Sequence, residues 1–167
     1  LLYEARGAAQ DACLSTLTFQ YADYANWQRS RLNQGLREVH RDYWIGQLSG
    51  AQPPVELPAD RPRPRPRTFE GGVQSQSLSP GLVNALEIFC QQQSVTTFMV
   101  LYAVFVTWLY RYTQEPDVVV GSVVAGRRRV ELEDVIGYCV NTVALRSILS
   151  DGLTGQDLLK QVRRVVT

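Results

Sequence analysis

Six of the eight prolines in this 167-residue chain lie between positions 53 and 66: Pro53, Pro54, Pro58, Pro62, Pro64 and Pro66. Each fixes its φ angle and removes a backbone donor, so neither a helix interior nor a central strand survives such a density. Residues 50–67 are therefore predicted to be an extended connector, with folded structure confined to 1–49 and 68–167. With 45% hydrophobic and 20% charged residues there is enough apolar side chain for a real core.

Before the connector, Leu17, Tyr21, Tyr24, Ala25 and Leu32 share one side of a 3.6-residue period, which predicts an amphipathic helix ending near Gly35. A second helix is expected from Leu36, Val39, Tyr43 and Trp44, with the breaker Ser49-Gly50 after it. Beyond the connector, Thr68 to Leu78 reads as an edge strand weakened or bulged at Gly71-Gly72. Ser79-Pro80 is a helix start, with Leu82, Leu86, Phe89 and Cys90 as its buried stripe. Thr96 or Thr97 can cap the next helix, where Phe98 to Tyr112 is apolar almost all round and should form the centre of the core. The β-branched run Asp117 to Val124 predicts a strand buried on both faces. Tyr138 to Ser147 predicts another, and a final helix from Thr154 carries Leu158, Leu159, Val162, Val165 and Val166 on one face. This order points to α/β layering.

Several function classes are disfavoured. Seventeen basic against 16 acidic residues leave a net charge of +1, too little for a nucleic-acid-binding field. One histidine, His40, and three scattered cysteines, Cys13, Cys90 and Cys139, build no short-spaced zinc motif. The cysteines suit buried thiols in a reducing cytoplasm. The apolar run Phe98 to Tyr110 has 13 residues where a membrane span needs about 20. No signal-peptide pattern opens the chain. Leu1-Leu2-Tyr3-Glu4 has helical character and Val165-Val166-Thr167 closes inside an amphipathic repeat, so an interior piece of a longer protein is expected.

Isolated chemistry is sparse. The alternation Arg61-Pro62-Arg63-Pro64-Arg65-Pro66-Arg67 spreads its charges around a polyproline II axis and reads as a solvated spacer. His40 lacks a supporting nucleophile or carboxylate pattern for general-base work. Gly121 and Gly126 bracket a turn whose spacing fits neither a Walker loop nor a dinucleotide fingerprint. Arg127, Arg128 and Arg129 are expected to hold the neighbouring acidic residues Glu131, Glu133 and Asp134. On a regular strand Asn141 shares a face with Cys139, Val143 and Leu145, and a buried amide there needs a hydrogen bond. It either braces a loop or serves a site.

Four ordered motifs carry a resemblance. They are Tyr21-Ala-Asp23-Tyr24-Ala-Asn-Trp27-Gln28; Tyr43-Trp44 followed by Leu57-Pro-Ala-Asp60-Arg-Pro-Arg-Pro64; Asp117-Val-Val-Val-Gly121-Ser122 with Ala125-Gly126-Arg127; and Ile136-Gly-Tyr-Cys-Val-Asn141-Thr-Val-Ala-Leu-Arg146. In this order the chain resembles the condensation domain of non-ribosomal peptide synthetases. The resemblance implies an α/β, chloramphenicol acetyltransferase-like fold of two lobes around a tunnel. Residues 1–49 would end the first lobe, 50–67 connect the lobes, and 68–167 form part of the second.

The implied reaction is amide formation between acyl or peptidyl and aminoacyl thioesters. They ride on phosphopantetheine arms of upstream and downstream carrier domains, with an adenylation domain in the same chain. No directly bound cofactor, metal, nucleic acid or membrane is implied. The family's catalytic His-His-x-x-x-Asp-Gly motif precedes the Tyr-x-Asp-Tyr segment. This chain has a single histidine, and it follows that segment. No catalytic residue is therefore assigned, and the chain alone is expected to be inactive. Asn141 and Arg146 match tunnel or positioning residues, whereas Tyr21, Asp23, Tyr24, Trp27, Gly126 and Arg127 match architectural ones. Val123 stands where the family often has proline, and Cys139 where it often has an aromatic. A non-catalytic carrier-docking relative and a free-standing coenzyme A-dependent acyltransferase are the alternatives.

Overall fold

The structure is a computed structural model and describes residues 16–53, 56–62, 64–66, 68–127 and 129–167. Cys13, Arg63, Arg67 and Arg128 lie outside them. The described elements are α1 (Tyr21–Arg31), a π-helical turn (Leu32–Leu36), α2 (Arg37–Leu48), α3 (Pro80–Gln93), α4 (Thr97–Thr113), β1 (Asp117–Val124), a 3-10 turn (Val130–Leu132), β2 (Asn141–Ile148) and α5 (Gly155–Val166). The chain divides into two compact units. One joins Leu1–Gly46 to Val123–Thr142, and the other joins Gln47–Ser122 to Val143–Thr167.

In the first unit, α1 starts at Tyr21, later than its periodicity suggests. Helical geometry is interrupted at Gln34 and Gly35, the latter at φ 97°, a conformation that glycine adopts without a Cβ penalty. Of the predicted stripe only Tyr24 is buried; it packs with Leu132, Val135 and Cys139. The periodic face is present, but burial needs enclosure on every side, and Leu132, Val135 and Cys139 enclose Tyr24 alone among these positions. On α2, Val39, His40 and Tyr43 are exposed and Trp44 is half-buried, as is Leu36 at the end of the π-helical turn.

The second unit holds the main core. Ser79 accepts from the Leu82 amide at 3.3 Å and starts α3. Thr96 accepts from the Met99 amide, also at 3.3 Å, and starts α4. One face of α4 (Met99, Tyr102, Ala103, Val106, Leu109) packs with Val118 of β1, with Leu145 and Leu149, and with Leu158, Leu159 and Val162 of α5. The other face is uncovered: Leu101, Val104, Phe105, Trp108 and Tyr112 are exposed, with Trp108 stacked on both Phe105 and Tyr112. Within α3 only Cys90 is buried, and the expected stripe at Leu82, Leu86 and Phe89 stays exposed or half-buried.

The β structure is smaller than predicted. β1 and β2 form a two-stranded sheet. The Leu149 amide donates to the Pro116 carbonyl at 2.7 Å, placing the end of β2 beside the start of β1 as in an antiparallel pair. β1 is not buried on both faces, since only Asp117 and Val118 are enclosed and Val123 is exposed. β2 starts at Asn141 rather than Tyr138. No strand forms among the described residues of 68–78, where Phe69 and Val73 are 94% and 91% exposed. A glycine pair weakens that segment, and no described strand lies beside it to pair with. Among the described residues, no single helix is long and apolar enough to cross a membrane.

Candidate functional site

The sequence-derived candidates gather in two clusters. The first is built by α1 and the loop from Gly126 to Asn141. The Asp23 carboxylate accepts from the Gln20 amide at 2.9 Å and caps the start of α1. The Tyr21 hydroxyl then donates to the Tyr138 carbonyl at 2.9 Å. Its ring lies so close to Gly137 that a Cβ there would stand 2.1 Å from Cδ2 of Tyr21. Tyr24 is buried beside Cys139, and burial, followed by the nearby Cys139 and Tyr21, raises its phenol above the ordinary value, with Arg127 opposing. Trp27 carries the Arg129 guanidinium 5.2 Å from its ring centroid.

Arg127 corrects the expectation for the basic loop. Its guanidinium donates to the backbone carbonyls of Leu132 and Val135, and to that of Gly137 at 3.1 Å, instead of to Glu131, Glu133 or Asp134. Three carbonyls within ten residues converge on one guanidinium, each hydrogen bond being charge-assisted, while the carboxylates stay exposed to water. Gly126 sits at φ 70°, where a Cβ would fall 2.0 Å from the Cys139 carbonyl oxygen, so glycine is required on both counts.

Asn141 follows directly, and it is exposed, not buried. Its Oδ1 accepts from the Thr142 amide at 2.8 Å, and its Nδ2 makes no hydrogen bond among the described residues. The burial expected of Asn141 is thus not found, and among the described residues its side chain is held by the neighbouring Thr142 amide.

The second cluster lies in the other unit and centres on Arg146. Its Nε and Nη2 hold Asp117 Oδ1 and Oδ2 at 2.9 and 2.8 Å, while Nη1 donates to the carbonyls of Gln47 at 3.0 Å and Ser49 at 2.8 Å. The Gln52 amide donates to Asp117 Oδ2 at 3.2 Å. The Arg146 guanidinium holds the Asp117 carboxyl below the ordinary range, and Asp117 in turn raises Arg146. Here the guanidinium closes the C-terminal end of α2 and anchors the first residues after it.

Sequence reasoning gave no role to Asp117, Gly137 or Tyr138, although all three stand in the quoted motifs. Asp117 had a faint signal, a carboxylate heading a β-branched run with an arginine on the later strand. Gly137 had none, because its need arises from a ring far away in the chain. Cys90 and Cys139 are buried free thiols as expected, and no group of three metal-binding side chains forms among the described residues.

This α/β framework is chloramphenicol acetyltransferase-like, the fold of acyl-transferring condensation domains. The family model for the condensation domain matches residues 2–167, and the chain belongs to that family. It is 43% identical to a linear gramicidin synthase of Brevibacillus parabrevis over 97% of its length, yet spans only 2% of that protein. The X-domain from teicoplanin biosynthesis superimposes with a TM-score of 0.81 at 26% identity, covering 98% of this chain and 37% of that one. The first condensation domain of the calcium-dependent antibiotic synthetase shares the fold with a TM-score of 0.73 at 22% identity, covering 98% and 36%.

Proposed function

We propose that this chain is part of a non-ribosomal peptide synthetase condensation domain. In the reaction the amine of a downstream aminoacyl thioester attacks the carbonyl of an upstream acyl or peptidyl thioester. A C–N bond forms, the C–S bond breaks, and the thiol of the upstream phosphopantetheine arm leaves with a proton. Both arms belong to carrier domains, so this segment needs no cofactor of its own. An adenylation domain in the same synthetase would load the amino acid, in the cytoplasm. Residues 1–49 would close the first lobe, 50–67 link the lobes and 68–167 belong to the second.

The observation that carries this reading is the contact between separate motifs: Tyr21 on Gly137 and Tyr138, and Arg127 on the Gly137 carbonyl. An incidental motif match has no reason to bring its parts together. No paired histidine stands in these residues, so the acid-base group would come from elsewhere in the domain, and the chain alone would be inactive. Asn141, whose Nδ2 makes no hydrogen bond among the described residues, and Arg146 are the residues assigned to positioning. The test is a synthetase module containing this segment, with both carriers loaded and the dipeptidyl thioester followed by mass spectrometry. Formation by the module and none by residues 1–167 is expected; a loaded module that yields no dipeptidyl thioester would overturn the reading.

A second reading is a non-catalytic docking relative. What favours it is the likeness to the teicoplanin X-domain, which was also solved in complex with OxyB and matches this chain at 27% identity in that form. Partner binding without amide formation in the same module would select it.

A further inference from the structure

Tyr21 is a half-exposed residue in the first turn of α1, and its ring takes part in no core cluster. It nevertheless makes two contacts with one short segment. Its hydroxyl donates to the Tyr138 carbonyl at 2.9 Å, and its ring fills the space where any side chain at residue 137 would begin. Gly137 has no positive φ that would call for glycine, so the close approach of the ring is the physical reason for glycine there. The same segment is also met by Gly126, where a Cβ would fall 2.0 Å from the Cys139 carbonyl oxygen. Arg127 holds the Gly137 carbonyl as well. Residues 137–139 are thus gripped at Gly137 and Tyr138 by Tyr21, and at Gly137 and Cys139 by the 126–127 turn. Two residues further on stands Asn141, exposed, with its Oδ1 engaged locally and its Nδ2 free among the described residues.

We propose that Tyr21 is a positioning residue that acts through Gly137 and Tyr138 to set where the Asn141 amide is presented. The role rests on the condensation reading above. It departs from a merely architectural role for the Tyr21 motif, because it predicts energetic coupling between two residues that do not touch. Within α1 the tasks divide: Asp23 caps the helix, Tyr24 supplies the buried contact, and Tyr21 aligns the segment that leads into β2.

The test uses the complete synthetase module. Tyr21→Phe keeps the ring and removes one hydrogen bond, so folding is preserved; kcat should fall about fivefold with KM for both carrier-borne substrates unchanged. Asn141→Ala should lower kcat about tenfold, and the double variant should lose no more than Asn141→Ala alone. A double variant reduced about fiftyfold, the product of the two effects, would overturn the proposal, as would Tyr21→Phe at the wild-type rate. Hydrogen exchange supplies a readout independent of activity: the amides from Tyr138 to Asn141 should exchange faster in Tyr21→Phe, and unchanged exchange also counts against the proposal. A wild-type module that forms no amide rejects the condensation reading, while exchange still decides whether Tyr21 holds the segment.

Discussion

Arg146 grips Asp117 through two parallel N–H···O bonds, 2.9 Å from Nε to Oδ1 and 2.8 Å from Nη2 to Oδ2, on adjacent strands. The two side chains are only 15% and 10% exposed, and the third arginine nitrogen closes the end of α2. A fork of this shape fits the planar guanidinium and not the point charge of an ammonium. Arg146→Lys is therefore expected to lower the melting temperature despite keeping the charge, with amides around Gln47–Gln52 losing protection in hydrogen exchange. A lysine variant with wild-type melting and exchange would show that the fork geometry is dispensable.

The same pair sets a pH dependence. Arg146 holds the folded-state pKa of Asp117 below its unfolded value, so the native state binds fewer protons and stability rises with pH. This contribution is complete above the ordinary carboxylate range and is lost as pH falls through the lowered folded-state value. Urea titrations at a series of acidic pH values should show a shallower decline for Asp117→Asn than for the parent chain. Equal slopes would exclude Asp117 as a source of acid sensitivity.

In the core of the second unit, the Tyr102 hydroxyl donates to the Leu145 carbonyl at 3.0 Å and lies 3.1 Å from Ser147 Oγ, which is fully buried. Burial raises the Tyr102 phenol above its ordinary value, keeping it a neutral donor. Tyr102→Phe strands polar atoms in an apolar site and should cost about 1–3 kcal/mol in chemical denaturation. Adding Ser147→Ala removes one stranded group, so the double variant should be less destabilised than the sum of the singles.

Gly126→Ala meets two separate obstacles, a left-handed φ and a Cβ placed against the Cys139 carbonyl oxygen. That oxygen belongs to the backbone and cannot swing aside as a side chain would. A loss of more than about 1 kcal/mol is expected, together with faster exchange across 126–140. Gly152→Ala, where a Cβ meets nothing within 4 Å, is the control and should change little.

The uncovered face of α4 makes a prediction about residues 1–167 in isolation. Leu101, Val104, Phe105, Trp108 and Tyr112 form a continuous apolar stripe, and a two-stranded sheet is a marginal structure by itself. The chain alone should bind a hydrophobic dye, self-associate and unfold with transitions that differ between probes. Lysine at Val104 and Trp108 should reduce association without changing the helix content. A soluble monomer with one sharp, coincident transition would contradict this.

What the sequence by itself determined is what neighbouring residues decide among themselves. Ser79-Pro80 and the pair Thr96-Thr97 mark helix starts because a cap needs only amides two or three residues on. The apolar positions of α5, Leu158, Leu159, Val162 and Val165, define its inner face through helical spacing alone. The ordered motifs likewise made the family legible before any contact was known. Tertiary structure decided the rest, because each remaining question turned on a partner distant in the chain. Residues 68–78 have strand-like composition but no described neighbour to pair with, and Asn141 lies at the exposed start of β2 rather than inside a longer strand. Arg127 chose carbonyls over the nearby carboxylates once a turn had aimed them at it, and Arg146 found Asp117. Gly137 acquired its reason from the ring of Tyr21, a close approach that exists only after the chain has folded.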